Sequence, residues 1–494
     1  MKRDPRKEKY KVSLPIKEKK SISEPINKLM NEDSSSENEE DLMKLIQLSK
    51  TEKLKYSYDL KSYIEKIQDP NIRLDINGKK IPLLFLLCEI SDIKCIMEIL
   101  KKENLEVNIE DDDKRNALFY LNGNEDDSKI IDELIKKKIE INHKDRSGNT
   151  ALEHIIINRL EPILIYHLLN ITETNENFME KLFKILTKNL KDYSNEVSKG
   201  NQELNEVVEN IHEILNEKVR NKMGTSYNVE IYGSRATGIS LPESDIDFVI
   251  KSPANEINFT TILEIIYKEL ENDKTFVSEI KFIFNTDVPI IKLKTTDKYK
   301  ELAIDISMDS HQGPKCVGYI KEKLEYYEHL RSLILVLKKI FYIAKLNIPH
   351  EGGLSSYGII LLIIYFLKKK KKQAPDTFSD NNEAKLGKLF FEFLVFYGNK
   401  RNYNNHKKLE NIEISADFNN NSLTITDPLL DSNNVAKNVR ELNKIINVFR
   451  NSLKIILKSC ECNCGENHKY CINENDNKDL LNILFTSDLL NLNI

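Results

Sequence analysis

Residues 231–250 read IYGSRATGISLPESDIDFVI, and this stretch constrains the fold more than any other. An apolar strand runs into Gly233-Ser234, a loop follows, and Asp245 and Asp247 open a second apolar strand. Residues two apart in a strand share a face, so both carboxylates project together while Ile246 and Phe248 turn into a core. Two like charges so placed raise a pKa and destabilise the fold unless a cation sits between them. Magnesium or manganese suits the position, being a hard ion that takes oxygen ligands and completes its shell with phosphates. A third carboxylate is then expected on a neighbouring strand, and ELAIDIS supplies Asp305 between Ile304 and Ile306. Three such aspartates can hold two metals about 3.5–4 Å apart for an in-line phosphoryl transfer, with Asp305 nearest the attacking hydroxyl. Gly233 lets the backbone approach a triphosphate, whose charge is met by main-chain N–H groups and the Ser234 hydroxyl. Each element has an ordinary reading as helix entry, turn residue or surface carboxylate. Their spacing is what joins them into one site.

The rest of the 494 residues falls into segments. The first fifty run from basic clusters (Lys2, Arg3, Arg6, Lys7, Lys17, Lys19, Lys20) into NEDSSSENEED, with few groups able to bury apolar area, and are predicted disordered. Between 75 and 170, Leu83, Leu118 and Leu152 fall 35 and 34 residues apart, and Val107-Asn108 repeats as Ile141-Asn142. Units of that length bury their faces against stacked copies, and KDRSGNTAL at 144–152 closely resembles the turn and first helix of an ankyrin repeat. Residues 178–220 read as amphipathic helix. From 222 to 310 strands and helices alternate, which predicts a mixed sheet covered by helices on one side. Residues 318–460 read as helical apart from NSLTI and its surroundings. The expected organisation is multidomain: a charged tail over 1–50, α-helical ankyrin-like repeats over 51–172, a mixed α/β catalytic domain with its leading helix over 178–315, an α-helical central domain over 316–458, and a cysteine-bearing tail over 459–494.

Composition limits the partners. The chain is 40% apolar and 31% charged with a net charge of −4 and no Trp, so nucleic-acid contact has to come from local patches. No apolar run reaches the ~20 residues that span a bilayer, and LSSYGIILLIIYFL at 354–367 has the length of a buried helix. The N-terminus lacks the apolar stretch of a signal peptide, which points to a reducing, intracellular setting. The basic clusters suit nuclear import, with the cytoplasm as the other possibility, and secretion is not expected.

GSRATGISLPESDIDFVI resembles the signature of the polymerase β-like nucleotidyltransferase superfamily. LP-x-SDID resembles the version in poly(A)-polymerase-associated nucleotidyltransferases, especially the TRAMP-type poly(A) polymerase or DNA polymerase sigma family. LVLKKIFYIAKLNIPHEGGLSSYGIILLIIYFL is similar to that family's central-domain pattern, and TDPLLDSNNVAKNV at 426–439 to its base-facing loop. The resemblance spans about 178–458. It implies a polymerase β-like catalytic domain and a PAP-associated central domain, with Asp245, Asp247 and Asp305 as metal ligands and Gly233 and Ser234 on the triphosphate. Lys338 is then expected at the phosphates, Ser356 at the phosphate, Tyr357 on the base face and Asn433 at the base edge. An ammonium is a compact charge for phosphate, and an aromatic face stacks on a base. Gln312 stands before Gly313 where the family usually has the ribose-contacting Asn, and Val-Ala-Lys replaces the common Val-Gly-Arg. No His lies within 427–450, where UTP-preferring relatives commonly carry one, so ATP is the expected donor.

The implied activity is template-independent addition of adenylates from ATP to RNA 3′ ends, in nuclear RNA surveillance or processing. A terminal uridylyltransferase is the nearest alternative, and an ankyrin scaffold carrying a dead transferase is the alternative of another class. Cys460, Cys462, Cys464, His468 and Cys471 form a cluster from which four ligands could surround a zinc, although its spacing matches no standard module. The ankyrin-like repeats suggest a protein partner, for which the resemblance offers a zinc-knuckle RNA-binding protein. Lys368 to Lys372 could track a phosphate backbone or simply be solvated.

Overall fold

The computed structural model describes residues 39–490, except 52, 124–125, 159–163, 166, 169–177, 254–257, 287, 309–312, 374–382, 405–407 and 461–477. It divides into two compact units, residues 1–140 and 141–494. The division falls inside the segment expected to form one repeat module up to 172.

The first unit begins with a helix, Glu39–Thr51, where the sequence suggested the end of a disordered tail. Leu42, Leu45 and Ile46 make an apolar stripe that is buried, three acidic residues occupy the first turn, and Lys44 pairs with Asp41 at 3.5 Å. That stripe is enough to dock the helix despite the polar composition around it. A helix at Lys53–Lys66 follows, then a hairpin of β1 (Arg73–Ile76) and β2 (Lys79–Pro82), a buried helix Leu83–Ile90, and helices Ile93–Ile99 and Asp127–Lys136.

The 34-residue period survives as local geometry. Asp111 Oδ1 accepts from the Asp113 and Arg115 amides, and Lys114 has φ +57°. In the second unit, Asp145 Oδ1 accepts from the Ser147 and Asn149 amides, and Gly148 has φ +81°. Helical turns start just after each, at Ala117 and Ala151. Within the first unit, the Asn71 amide brackets Asn104 O and Glu106 N, and Asn108 brackets Lys138 O and Glu140 N.

The second unit is built on a five-stranded sheet ordered β3-β4-β7-β6-β5: β3 (Asn228–Ile231), β4 (Ile246–Lys251), β5 (Val277–Ile283), β6 (Ile290–Thr295) and β7 (Ala303–Met308). Only β4 and β7 run parallel. Alternation sends Phe248, Ile250, Ile291, Leu293, Ile304 and Ile306 into a core with Ile211, Leu215 and Val219 of helix Asn205–Met223 and Leu263, Ile266 and Leu270 of helix Phe259–Glu271. The opposite face carries the charged residues of the same strands.

Helices Gly313–Tyr326, Leu330–Ile343, Ser356–Gln373, Lys385–Gly398 and Leu442–Lys458 form the helical part, with a small sheet of β8 (Ile414–Asp417), β9 (Ser422–Asp427) and β10 (Leu430–Asn434). The leading helix Phe178–Glu203, grouped by sequence with the catalytic segment, packs chiefly on this helical part. Gly387 permits the contact: a Cβ there would lie 2.1 Å from Phe183 O, and its amide donates to Thr187 Oγ1 at 2.7 Å. The apolar run in helix Ser356–Gln373 is buried, and among the described residues no helix is long and apolar enough to cross a membrane. The lysine run at its end folds onto its own surroundings. Lys368 pairs with Glu410 at 2.6 Å, Lys370 with Glu392 at 2.8 Å, and Lys371 donates to Tyr326 Oη at 2.6 Å.

Candidate active site

Strand register gathers the three aspartates. Asp247 on β4 lies directly beside Asp305 on the parallel β7, and Asp305 lies opposite Lys292 on β6. Asp245 enters from the turn before β4. Lys292 Nζ donates to Asp305 Oδ1 at 2.7 Å and Oδ2 at 2.5 Å, and to Asp245 Oδ2 at 3.2 Å. Burial, with the charges of Asp305 and Asp245, pushes the Asp247 carboxyl up to about 7. Burial also raises Asp305, against the opposing pull of Lys292. Partial burial disfavours the Lys292 charge, yet its bonds to Asp305 and Asp245 raise it on balance. Carboxylates this crowded fit a divalent cation, the ligand set being all oxygen. Among the described residues no three Asp, Glu, His or Cys side chains close around a common metal position, and the ammonium of Lys292 bridges Asp245 and Asp305.

Gly233 and Ser234 open a single helical turn, Gly233–Ala236, between β3 and this cluster. Gly233 has φ +62°, and a Cβ there would lie 2.0 Å from Asp247 Oδ2, so glycine is required both by backbone conformation and by space. The turn is clamped from behind by Arg235, whose guanidinium donates to Asn201 Oδ1 and O, each at 2.7 Å, and to Asn205 Oδ1 at 2.8 Å.

The loop before Asp245 is held by two adjacent lysines of helix Leu330–Ile343. Lys338, expected at the phosphates, is 6% exposed and donates to Ile239 O at 2.9 Å. Burial lowers it to about 8, against the attraction of Asp247 and Glu243. Lys339 pairs with Glu243 at 2.7 Å. A cavity of about 860 Å³ is lined by Tyr193, Pro242, Glu243, Lys339 and Phe485 and includes none of the three aspartates.

A second cluster joins the helical part to its small sheet. Tyr357 Oη donates to Asp427 Oδ1 at 3.1 Å, and Asn433 Nδ2 donates to Asp427 Oδ2 at 3.0 Å. Asp427 is 3% exposed and takes a third bond from the Leu429 amide. The sequence reading brought Tyr357 and Asn433 forward but not the aspartate that ties them. Its signal was the Asp-Pro pair opening TDPLLDSNN. Lys292 was missed as well, although VPIIKLK alternates in a way that sets it apart from the core. Ser356 starts its helix and is half-buried. Gln312, Cys462, Cys464, His468 and Cys471 lie outside the described residues. Cys460 is buried, its thiol donating to Ile456 O at 3.3 Å.

Residues 183–316 match the family model described as the central palm domain of poly(A) RNA polymerase, mitochondrial-like. Poly(A) RNA polymerase protein 2 of Saccharomyces cerevisiae is 25% identical over 292 residues, which is 56% of this chain and 48% of the relative. Poly(A) RNA polymerase cid14 of Schizosaccharomyces pombe is 28% identical over 239 residues, 46% of this chain and 34% of the relative. The inactive non-canonical poly(A) RNA polymerase protein Trf4-2 of Drosophila melanogaster is 27% identical over 177 residues, 35% of this chain and 42% of the relative. The matched segments thus span a third to a half of these relatives' own length.

Proposed function

We propose that this chain is a template-independent nucleotidyltransferase of the TRAMP-type kind that adds adenylates from ATP to RNA 3′ ends. The observation that carries the reading is the row Asp247–Asp305 with Asp245 beside it, fronted by a glycine that no other residue can replace without meeting Asp247. Magnesium or manganese bound by Asp245, Asp247 and Asp305 would neutralise triphosphate charge and lower the pKa of the attacking 3′-hydroxyl. Asp305 would help take that hydroxyl's proton. The Gly233–Ala236 turn offers main-chain N–H groups and the Ser234 hydroxyl to the triphosphate, with Lys338 and Ser356 as further phosphate contacts and Gln312 at the ribose.

The donor is argued from Asp427. Asn433 turns its Nδ2 toward Asp427, whose Oδ2 accepts at 3.0 Å, and its Oδ1 is left facing elsewhere as an acceptor. An acceptor suits the exocyclic amine of adenine and opposes the O4 carbonyl of uracil. Tyr357, fixed by the same carboxylate, is the stacking surface. Because one relative is named as inactive, similarity alone does not separate an enzyme from a scaffold. The complete set of three aspartates favours the enzyme. We further infer that the 34-residue units are degenerate ankyrin-like repeats that bind a protein, for which a zinc-knuckle RNA-binding protein is the first candidate. The basic N-terminal clusters favour nuclear import. Zinc at the cysteine tail remains part of the proposal through Cys460, Cys462, Cys464, His468 and Cys471.

The reading is tested by incubating the purified chain with a labelled RNA oligonucleotide, magnesium and each of the four ribonucleoside triphosphates separately. ATP-dependent laddering is expected. Equal extension with UTP overturns the donor assignment, and no extension with any triphosphate favours the scaffold.

A further inference from the structure

Lys292 belongs to none of the expected contacts, yet it sits at the centre of the carboxylates. It is placed there by register: β6 pairs with β7 so that Lys292 stands opposite Asp305, one strand beyond Asp247. An ammonium has three donors, and Lys292 has three carboxylate oxygens within reach, two on Asp305 and one on Asp245. No other partner of this ammonium is found among the described residues. A cation bridging Asp245 and Asp305 would have to coordinate oxygens that Lys292 already engages, at metal–oxygen distances of about 2.0–2.1 Å. Two cations cannot share those oxygens without strong mutual repulsion in a partly buried site. Lys292 also has somewhere to go. Its side chain is 42% exposed and borders an open groove of about 300 Å³ whose lining includes Asp245 and Asp305 at one side and Glu279, Lys281, Lys294 and Ala303 beyond them. A four-carbon stem lets the ammonium move there without disturbing β6.

We propose that Lys292 is an internal cation of the aspartate cluster: it holds Asp245 and Asp305 together until a divalent ion arrives, and is displaced into the groove when that ion binds. This rests on reading the three aspartates as a divalent-cation site. Lys292 is on this view a positioning residue that sets metal affinity by competition. It keeps Asp245 and Asp305 converged in the metal-free chain and weakens metal binding by an amount typical of coupled sites, about tenfold.

The test is Mn²⁺ titration of the full chain, followed by the electron paramagnetic resonance signal of the free ion, for wild type, Lys292→Met and Lys292→Arg. Lys292→Met should bind Mn²⁺ about tenfold more tightly, whereas Lys292→Arg, which keeps the competing charge, should stay within about threefold of wild type. Equal or weaker binding by a folded Lys292→Met overturns the proposal while leaving the metal site intact. Failure of wild type and both variants to bind Mn²⁺ overturns the metal-site reading itself. A second measurement needs no variant: reductive methylation of wild-type lysines, read by peptide mass spectrometry with and without Mg²⁺. Labelling of Lys292 should rise several-fold with Mg²⁺ while Lys281 and Lys294 stay constant. Labelling of Lys292 that is unchanged or reduced overturns the displacement.

Discussion

A methyl group at position 233 would stand 2.0 Å from Asp247 Oδ2, on a backbone with φ +62°. Gly233→Ala therefore has to shift either the turn or the carboxylate, and a displacement near 1 Å at reacting groups costs on the order of 100-fold in rate. The expected result is a loss of kcat of about that size with a folded protein by circular dichroism, as the turn is short and half-exposed. The base cluster gives a second expectation. Asp427→Asn allows the Asn433 amide to flip and loosens Tyr357, removing a discrimination of about one hydrogen bond, roughly 1–1.5 kcal/mol. The ratio of kcat/KM for ATP to that for UTP should fall about tenfold, and a ratio unchanged within twofold would detach Asp427 from donor choice. At this scale the carboxylates were legible because Asp247 and Asp305 each stand within an apolar alternation of period two, with Asp245 just ahead of the first. Lys292 and Asp427 escaped because their partners depend on which strand lies beside which. No local pattern carries that information.

Among the secondary elements, Glu410 is a small hinge-pin of the helical part. It accepts from Lys368 of helix Ser356–Gln373 at 2.6 Å and from Lys323 of helix Gly313–Tyr326 at 3.0 Å. Burial pushes its carboxyl up, but the two ammonium groups outweigh this and leave it below its ordinary value. A depressed carboxylate adds stability that is present above the unfolded pKa, about 4.3, and is lost as pH falls through the lower folded value. Glu410→Gln should thus lower stability by roughly 1–2 kcal/mol at pH 7 in urea denaturation, and the gap to wild type should narrow as pH falls from 5 toward 3.5. A gap independent of pH would mean that the loss comes from packing. The same scale explains two elements whose packing the sequence did not announce. Serines and acids dominate the composition near residue 39, which masks the stripe of Leu42, Leu45 and Ile46 that docks the first helix. The amphipathic pattern of Phe178–Glu203 announces an apolar face, but only Gly387 and Thr187 reveal which helix it meets.

At the level of the whole molecule, the order of alternating strands and helices followed by helices was legible, since periodicity switches cleanly between 2 and 3.6 across 222–310 and beyond 318. The division at 140 was not, because the 34-residue period continues through it in the paired turns at Asp111 and Asp145. The central proposal is that Asp245, Asp247 and Asp305 transfer adenylate to an RNA end, and the palm match over 183–316 and the aspartate row are what support it. Its most direct test is single-turnover extension of a labelled RNA by ATP and magnesium, comparing wild type with Asp305→Ala at equal folded fraction. Removing a carboxylate that both holds metal and aids proton removal should slow the step by about 1,000-fold or more. Extension by Asp305→Ala within tenfold of wild type would contradict the assignment of this site.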